Sequence, residues 1–146
     1  MPYWIEGWVE ATRFDGAEQE DRHAWQAVLN LSSLIDVVDA VSEQLFGLSK
    51  RWQPEHGAVA AGRGAPPNPS DELRNDLEQI EQHERKHGPG EYGGLTHAKW
   101  SEIKSAAPEL IASESEWRTV FDLVERLERD ERLSADRIRF VVWYNW

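Results

Sequence analysis

The last ten residues, Arg137-Ile138-Arg139-Phe140-Val141-Val142-Trp143-Tyr144-Asn145-Trp146, decide the fold. In an extended chain Ile138, Phe140, Val142 and Tyr144 fall on one side and Arg139, Val141, Trp143 and Asn145 on the other, which is the period-2 signature of a strand. Large apolar groups occur on both sides, so this strand needs cover on both faces and belongs in the middle of a sheet. The opening stretch has the same character: Tyr3, Ile5, Gly7 and Val9 alternate with Trp4, Glu6, Trp8 and Glu10. The two terminal strands are predicted to pair at the sheet's centre, because either one at an edge would invite aggregation.

Three helical patterns lie between them. Over residues 34–46, Leu34, Val37, Val38, Val41, Leu45 and Phe46 recur at spacings that place them on one helical face, with Ser32-Ser33 as N-cap and Gly47 as the stop. Residues 71–87 follow Pro69-Ser70, carry acids in the first turn, and show only a thin seam of Leu73, Leu77 and Ile80, which reads as a polar, peripheral helix. Residues 114–131 carry the strongest stripe, Trp117, Val120, Phe121, Val124 and Leu127, with Ser113 and Glu116 spaced as a capping box. Residues 23–31 read either as a strand or as the lead-in to the first helix, and residues 94–103 as a short strand through Leu95, His97 and Lys99. The expected fold class is α+β, in a single domain over 1–146. A small central sheet of three or four strands, including the paired N- and C-terminal strands, has two or three helices packed on it. Residues 51–69 hold four of the seven prolines and three of the ten glycines, so they form an irregular loop.

Composition narrows the function classes. Cysteine is absent, which removes disulfides, thiolate metal ligands and cysteine nucleophiles. The N-terminal residues have no basic segment followed by an unbroken apolar run, and no stretch approaches the ~20 apolar residues of a spanning helix. A cytoplasmic protein without membrane association is therefore expected. The 27 acidic residues outnumber 16 Lys plus Arg, for a net charge of −11. The basic residues are interleaved with acids, as in Glu125-Arg126-Leu127-Glu128-Arg129-Asp130-Glu131-Arg132, a solvated helical face with i,i+4 pairs. No direct nucleic-acid binding is expected from such a chain.

One motif has the form of a catalytic site. His83-Glu84-Arg85-Lys86-His87 matches H-E-x-x-H, in which histidines one helical turn apart hold zinc and the glutamate polarises a metal-bound water. Gly90 extends the likeness to the zinc proteases, but Gly93 stands where their third histidine would be. Gly88-Pro89 also ends the helix directly after His87, leaving the pair on a polar last turn. A third ligand would have to come from a distant residue such as His97 or Glu102. The motif is read as accidental, with no metal, cofactor or catalytic residue assigned. A zinc-dependent hydrolase with Glu84 as base remains the enzyme alternative. Ala61-Gly62-Arg63-Gly64-Ala65 lacks the Lys-Ser/Thr and the preceding strand of a phosphate loop.

Leu45-Phe46-Gly47, then Arg63-Gly64 with Pro67 and Ser70, then Thr96-His97 with Trp100 and Glu102, and then an aromatic closing strand form an ordered pattern. In this the chain resembles a loose group of small uncharacterised bacterial and phage-associated proteins. The resemblance implies no activity and assigns no residue a role. Read physically, Arg63 between two glycines is a charge on a backbone that a partner can approach closely, and Arg and Trp are the side chains enriched at interface hot spots. Trp52, Arg63, His97 and Trp100 are the candidate binding residues. The alternative is that Trp52 and Trp100 pin the loop to the core while Arg63 pairs with a carboxylate. The functional expectation is a small acidic protein that binds another macromolecule, most simply a protein, as an immunity factor, an inhibitor or a phage or defence accessory protein does. A structural subunit of a homo-oligomer is the remaining class.

Overall fold

β1 (Trp4–Thr12) and β4 (Ile138–Asn145) pair antiparallel, with Trp4 opposite Asn145 and Ala11 opposite Ile138. This is a computed structural model describing residues 4–13, 24–36, 39–48, 58–130 and 133–145. β2 (Trp25–Asn30) flanks β1 and β3 (Tyr92–Lys99) flanks β4, so the four-stranded antiparallel sheet runs β2-β1-β4-β3 with the terminal strands at its centre. Residues 25–30 are thus a strand that passes into a 3-10 turn at Leu31–Ser33, and of the strand expected over 94–103 residues 94–99 belong to β3 while residues 100–103 are helical. Gly7 allows the central pair to close: with φ at +149°, a Cβ there would run into the Val141 carbonyl oxygen.

The first sheet face, bearing Ile5, Val9, Phe140 and Val142, is covered by α1 (Ala40–Phe46), α3 (Trp100–Ala106), α4 (Pro108–Ala112) and α5 (Trp117–Asp130). Its centre is a group of rings: Trp117 lies 5.4 Å from Phe46 and 5.8 Å from Phe121, and Trp100 lies 5.7 Å from Phe121. Both indoles in this core have acceptors, Trp117 donating to Ser42 Oγ (2.9 Å) and Trp100 to Glu128 (3.1 Å), so burying them leaves no orphan N–H. The predicted stripe of α5 faces inward as expected, with Trp117, Val120, Phe121 and Val124 fully buried.

The second face is covered by α2 (Asp71–His87), whose Leu73 is buried against Val141 and Trp143 and whose Leu77 and Ile80 flank them. The helix has the predicted bounds and the predicted Ser70 cap, which accepts from the Leu73 N–H. As expected it is mostly polar and lies on the outside, Leu73 being its one buried residue, yet three apolar residues suffice to lay it across a sheet face that already carries Trp8, Val141 and Trp143.

Two helix starts also differ. α1 begins at Ala40, capped by the Asp39 carboxylate on the Ser42 N–H (2.9 Å), and the serines expected to cap it belong to the 3-10 turn. Gly47, in the left-handed region at φ +67°, ends it as predicted, while Val37 and Val38 lie outside the described residues. The Ser113/Glu116 capping box is not formed. Ser113 closes α4 by donating to the Leu110 carbonyl (2.7 Å), and Glu116 accepts from the Asp36 N–H (2.9 Å), so α5 starts at Trp117. Among the described residues no helix is long and apolar enough to cross a membrane.

The inward face of α5 makes a direct stability prediction. Phe121→Ala should cost about 3–5 kcal/mol in urea unfolding, as deleting a buried aromatic ring does, and Arg126→Ala on the exposed face less than about 0.5 kcal/mol.

Candidate functional site

The pattern residues Leu45-Phe46-Gly47, Arg63-Gly64, Thr96-His97 and Glu102 converge on one stretch, residues 58–64. The Val59 and Ala60 N–H groups donate to Gln44 and Leu45 at the end of α1. Thr96, fully buried, donates its hydroxyl to the Ala60 carbonyl (2.7 Å) and accepts from the Arg63 N–H (3.2 Å). The Gly64 N–H bonds to Leu95 O, and the Gly64 carbonyl accepts from His97 Nδ1 (3.0 Å), which places that ring's proton on Nδ1. The stretch therefore covers the outer edge of β3.

Arg63 closes the arrangement. Its guanidinium donates to the Val59 carbonyl (3.2 Å) and forms a two-point pair with Glu102, 3.0 Å to Oε1 and 2.9 Å to Oε2. Glu102 also accepts from the Lys99 N–H (3.1 Å) at the start of α3. The hydrogen bond from Arg63 holds the Glu102 carboxyl below the ordinary glutamate range, against the opposing effect of partial burial. The structure therefore brings Arg63 and His97 together, with Trp100 turned into the core, and gives Arg63 a carboxylate partner. Trp52 lies outside the described residues.

The second sheet face holds an arrangement that sequence reasoning missed. α2 and the sheet leave a cleft of about 310 Å³ between them, lined by Glu6, Trp8, Asp76, Ile80, Tyr92 and Trp143, with Asn30, Ser32 and Gln79 at its margins. Glu6 rises from the sheet and accepts from the Trp143 indole (2.8 Å) and the Asn145 amide (3.0 Å). Asp76 faces it from α2 and accepts from the Trp8 indole (2.7 Å). No cationic side chain among the described residues pairs with either carboxylate. The Tyr92 phenol is pushed up by burial first and then by the charges of Glu6 and Glu91, so its ionisation is opposed by a negative field. Trp4, on the same face as Asn145, is exposed at the end of this surface. The signal was present in the alternation Trp4, Glu6, Trp8, which puts indoles and a carboxylate side by side on the strand face away from Ile5 and Val9.

The H-E-x-x-H histidines lie on the last turn of α2 with ring centroids 4.7 Å apart. His83 stands edge-on to Tyr92, and Glu91 Oε2 is 2.8 Å from its Nε2, within ion-pair range but outside the angular range of a hydrogen bond. Among the described residues no three His, Asp or Glu side chains gather as a metal-binding group. Comparison of the chain with protein-family models, with curated proteins and with solved structures returned no match.

The Arg63–Glu102 pair makes a prediction with a definite sign. A carboxyl whose folded pKa is depressed contributes stability above its unfolded pKa and loses it as the pH falls through the folded value. Glu102→Gln should therefore be less stable than the parent at neutral pH by less than about 1 kcal/mol, since the pair is one-third exposed. Urea unfolding at successive pH values should show this deficit closing on acidification; a deficit that widens would contradict the assignment.

Proposed function

We propose that this chain is a small acidic cytoplasmic protein that acts by binding another protein, in the manner of an inhibitor or immunity factor, through the sheet face crossed by α2. The observation that carries the reading is the pair of carboxylates, Glu6 and Asp76, held in a cleft by neutral donors and, among the described residues, without a cationic partner. Burying a charge in part without an opposite charge costs free energy that a solvated surface acid does not incur, and a partner's cation would recover it. Trp4 adds an exposed anchor on the same face, of the residue type that dominates binding hot spots. The net charge of −11 adds long-range steering toward a basic partner surface and away from nucleic acid.

The test is capture from a cytoplasmic lysate by the immobilised chain, compared with Trp4→Ala/Asp76→Ala and with Arg126→Ala, whose side chain lies on the exposed face of α5. The expected result is a discrete partner retained by the parent and by Arg126→Ala and reduced about tenfold or more by the double variant, as loss of hot-spot residues does. Equal capture by all three contradicts the reading. So does no capture from a chain that elutes as a defined homo-oligomer, which would favour a structural subunit.

A further inference from the structure

We infer that the cleft between α2 and the sheet receives the guanidinium of an arginine side chain on the partner, a deepening that rests on the protein-binding reading above. Three carboxylates elsewhere are set against cations of the fold: Glu10 against Arg139, Glu102 against Arg63, Glu128 against Lys104. Among the described residues neither cleft carboxylate is. Glu6 and Asp76 approach from opposite walls, one on the sheet and one on the helix, and their protein partners are the neutral N–H groups of Trp143, Asn145 and Trp8. A carboxylate has about four lone-pair sites, so both acids keep acceptor capacity after those bonds are made. The indole bonds also hold each carboxylate in one orientation before any ligand arrives, which lowers the ordering cost of binding.

The cleft's shape and lining select among cations. A volume of about 310 Å³ suits one side chain and excludes a helix or strand. Trp8 and Tyr92, both part-exposed in its lining, offer ring surface to a flat cation, while the buried Trp143 contributes its indole bond to Glu6; a guanidinium stacks on rings while presenting in-plane donors to carboxylates on two sides. An ammonium is compact and more strongly hydrated, so it loses more on entering a half-closed site and cannot reach both walls with a planar fork. Burial raises the Tyr92 phenol first, and the charges of Glu6 and Glu91 raise it further, the same negative field that would draw a cation in.

The experiment uses the full chain, ¹⁵N-labelled, with Nα-acetyl-arginine amide as probe and the indole N–H resonances of Trp8 and Trp143 as reporters. Their N–H groups bond directly to the two carboxylates, whereas Trp100 and Trp117 in the opposite core serve as internal references. Saturable shifts of Trp8 and Trp143 are expected, with Trp100 and Trp117 unmoved. Asp76→Asn, which keeps an acceptor for Trp8 and removes the charge, should weaken the probe about tenfold, the difference between a charge-assisted and a neutral hydrogen bond. The neutral citrulline analogue should give no saturable shift, and Nα-acetyl-lysine amide should bind more weakly than the arginine probe. The inference is overturned by a silent arginine titration, by citrulline acting as well as arginine, by lysine binding as tightly, or by an unaffected Asp76→Asn variant. Trp4-dependent capture of a partner with a silent arginine titration removes this inference and leaves the protein-binding reading standing. A saturable arginine titration without such capture supports the cation site and removes the reading of its use.

Discussion

The ion pair between Glu10 and Arg139 is the contact on which the second face of the molecule depends. The two residues sit opposite each other on the central strands, with side chains 0% and 4% exposed and Nε to Oε1 at 2.7 Å. Burial pulls the guanidinium's proton affinity down and Glu10 pushes it back up, so the pair offsets part of the cost of burying the charge. The remaining donors of Arg139 reach the carbonyls of Pro67 (2.9 Å) and Asn68 (3.1 Å), and its plane lies 3.8 Å over the Trp25 ring. The second oxygen of Glu10 accepts from the Ser70 N–H (2.7 Å), and Ser70 is the residue that caps α2. One buried pair thus ties the Pro-rich segment and the start of α2 to the middle of the sheet.

The two sheet faces are stabilised by different physics. On one, four helices bury a cluster of rings whose indole hydrogens all find acceptors, and area and packing decide. On the other, a single helix rests on three apolar residues, and polar bonds place it: the Glu10–Arg139 network at its start and the Trp8–Asp76 bond farther along. A face closed by a thin apolar seam and directed hydrogen bonds does not seal completely. The cleft lined by Glu6, Asp76 and three aromatic rings is the space that remains.

Much of this was legible from alternation alone. Bulk on both sides of 138–145 and 4–9 required a central, doubly covered strand pair, and the stripe from Trp117 to Val124 identified the helix that fills the larger core. The bounds of α2 followed from Ser70 and Gly88, because caps are local chemistry. The starts of α1 and α5 were misplaced because Ser and Asp can cap a helix, close a turn or bond at long range, and tertiary contacts chose among these: Glu116 went to Asp36 and Asp39 took the cap. At the site, Arg63 and His97 lie together because a buried threonine holds that loop against β3. The cleft was not legible in the same way. It needs Asp76, 70 residues after Glu6, to land over the same strand pair, and no spacing in the chain encodes that crossing.

The claim that the buried pair positions α2 is tested most directly by backbone hydrogen exchange of the parent and Glu10→Gln. The substitution keeps the size and an acceptor but leaves Arg139 without its charge partner. Loss of protection should be concentrated in residues 66–87, the Pro-rich segment and α2, with smaller changes in α5 and β4. Loss spread evenly over α2, α5 and β4, or protection of α2 equal to that of the parent, would contradict the claim.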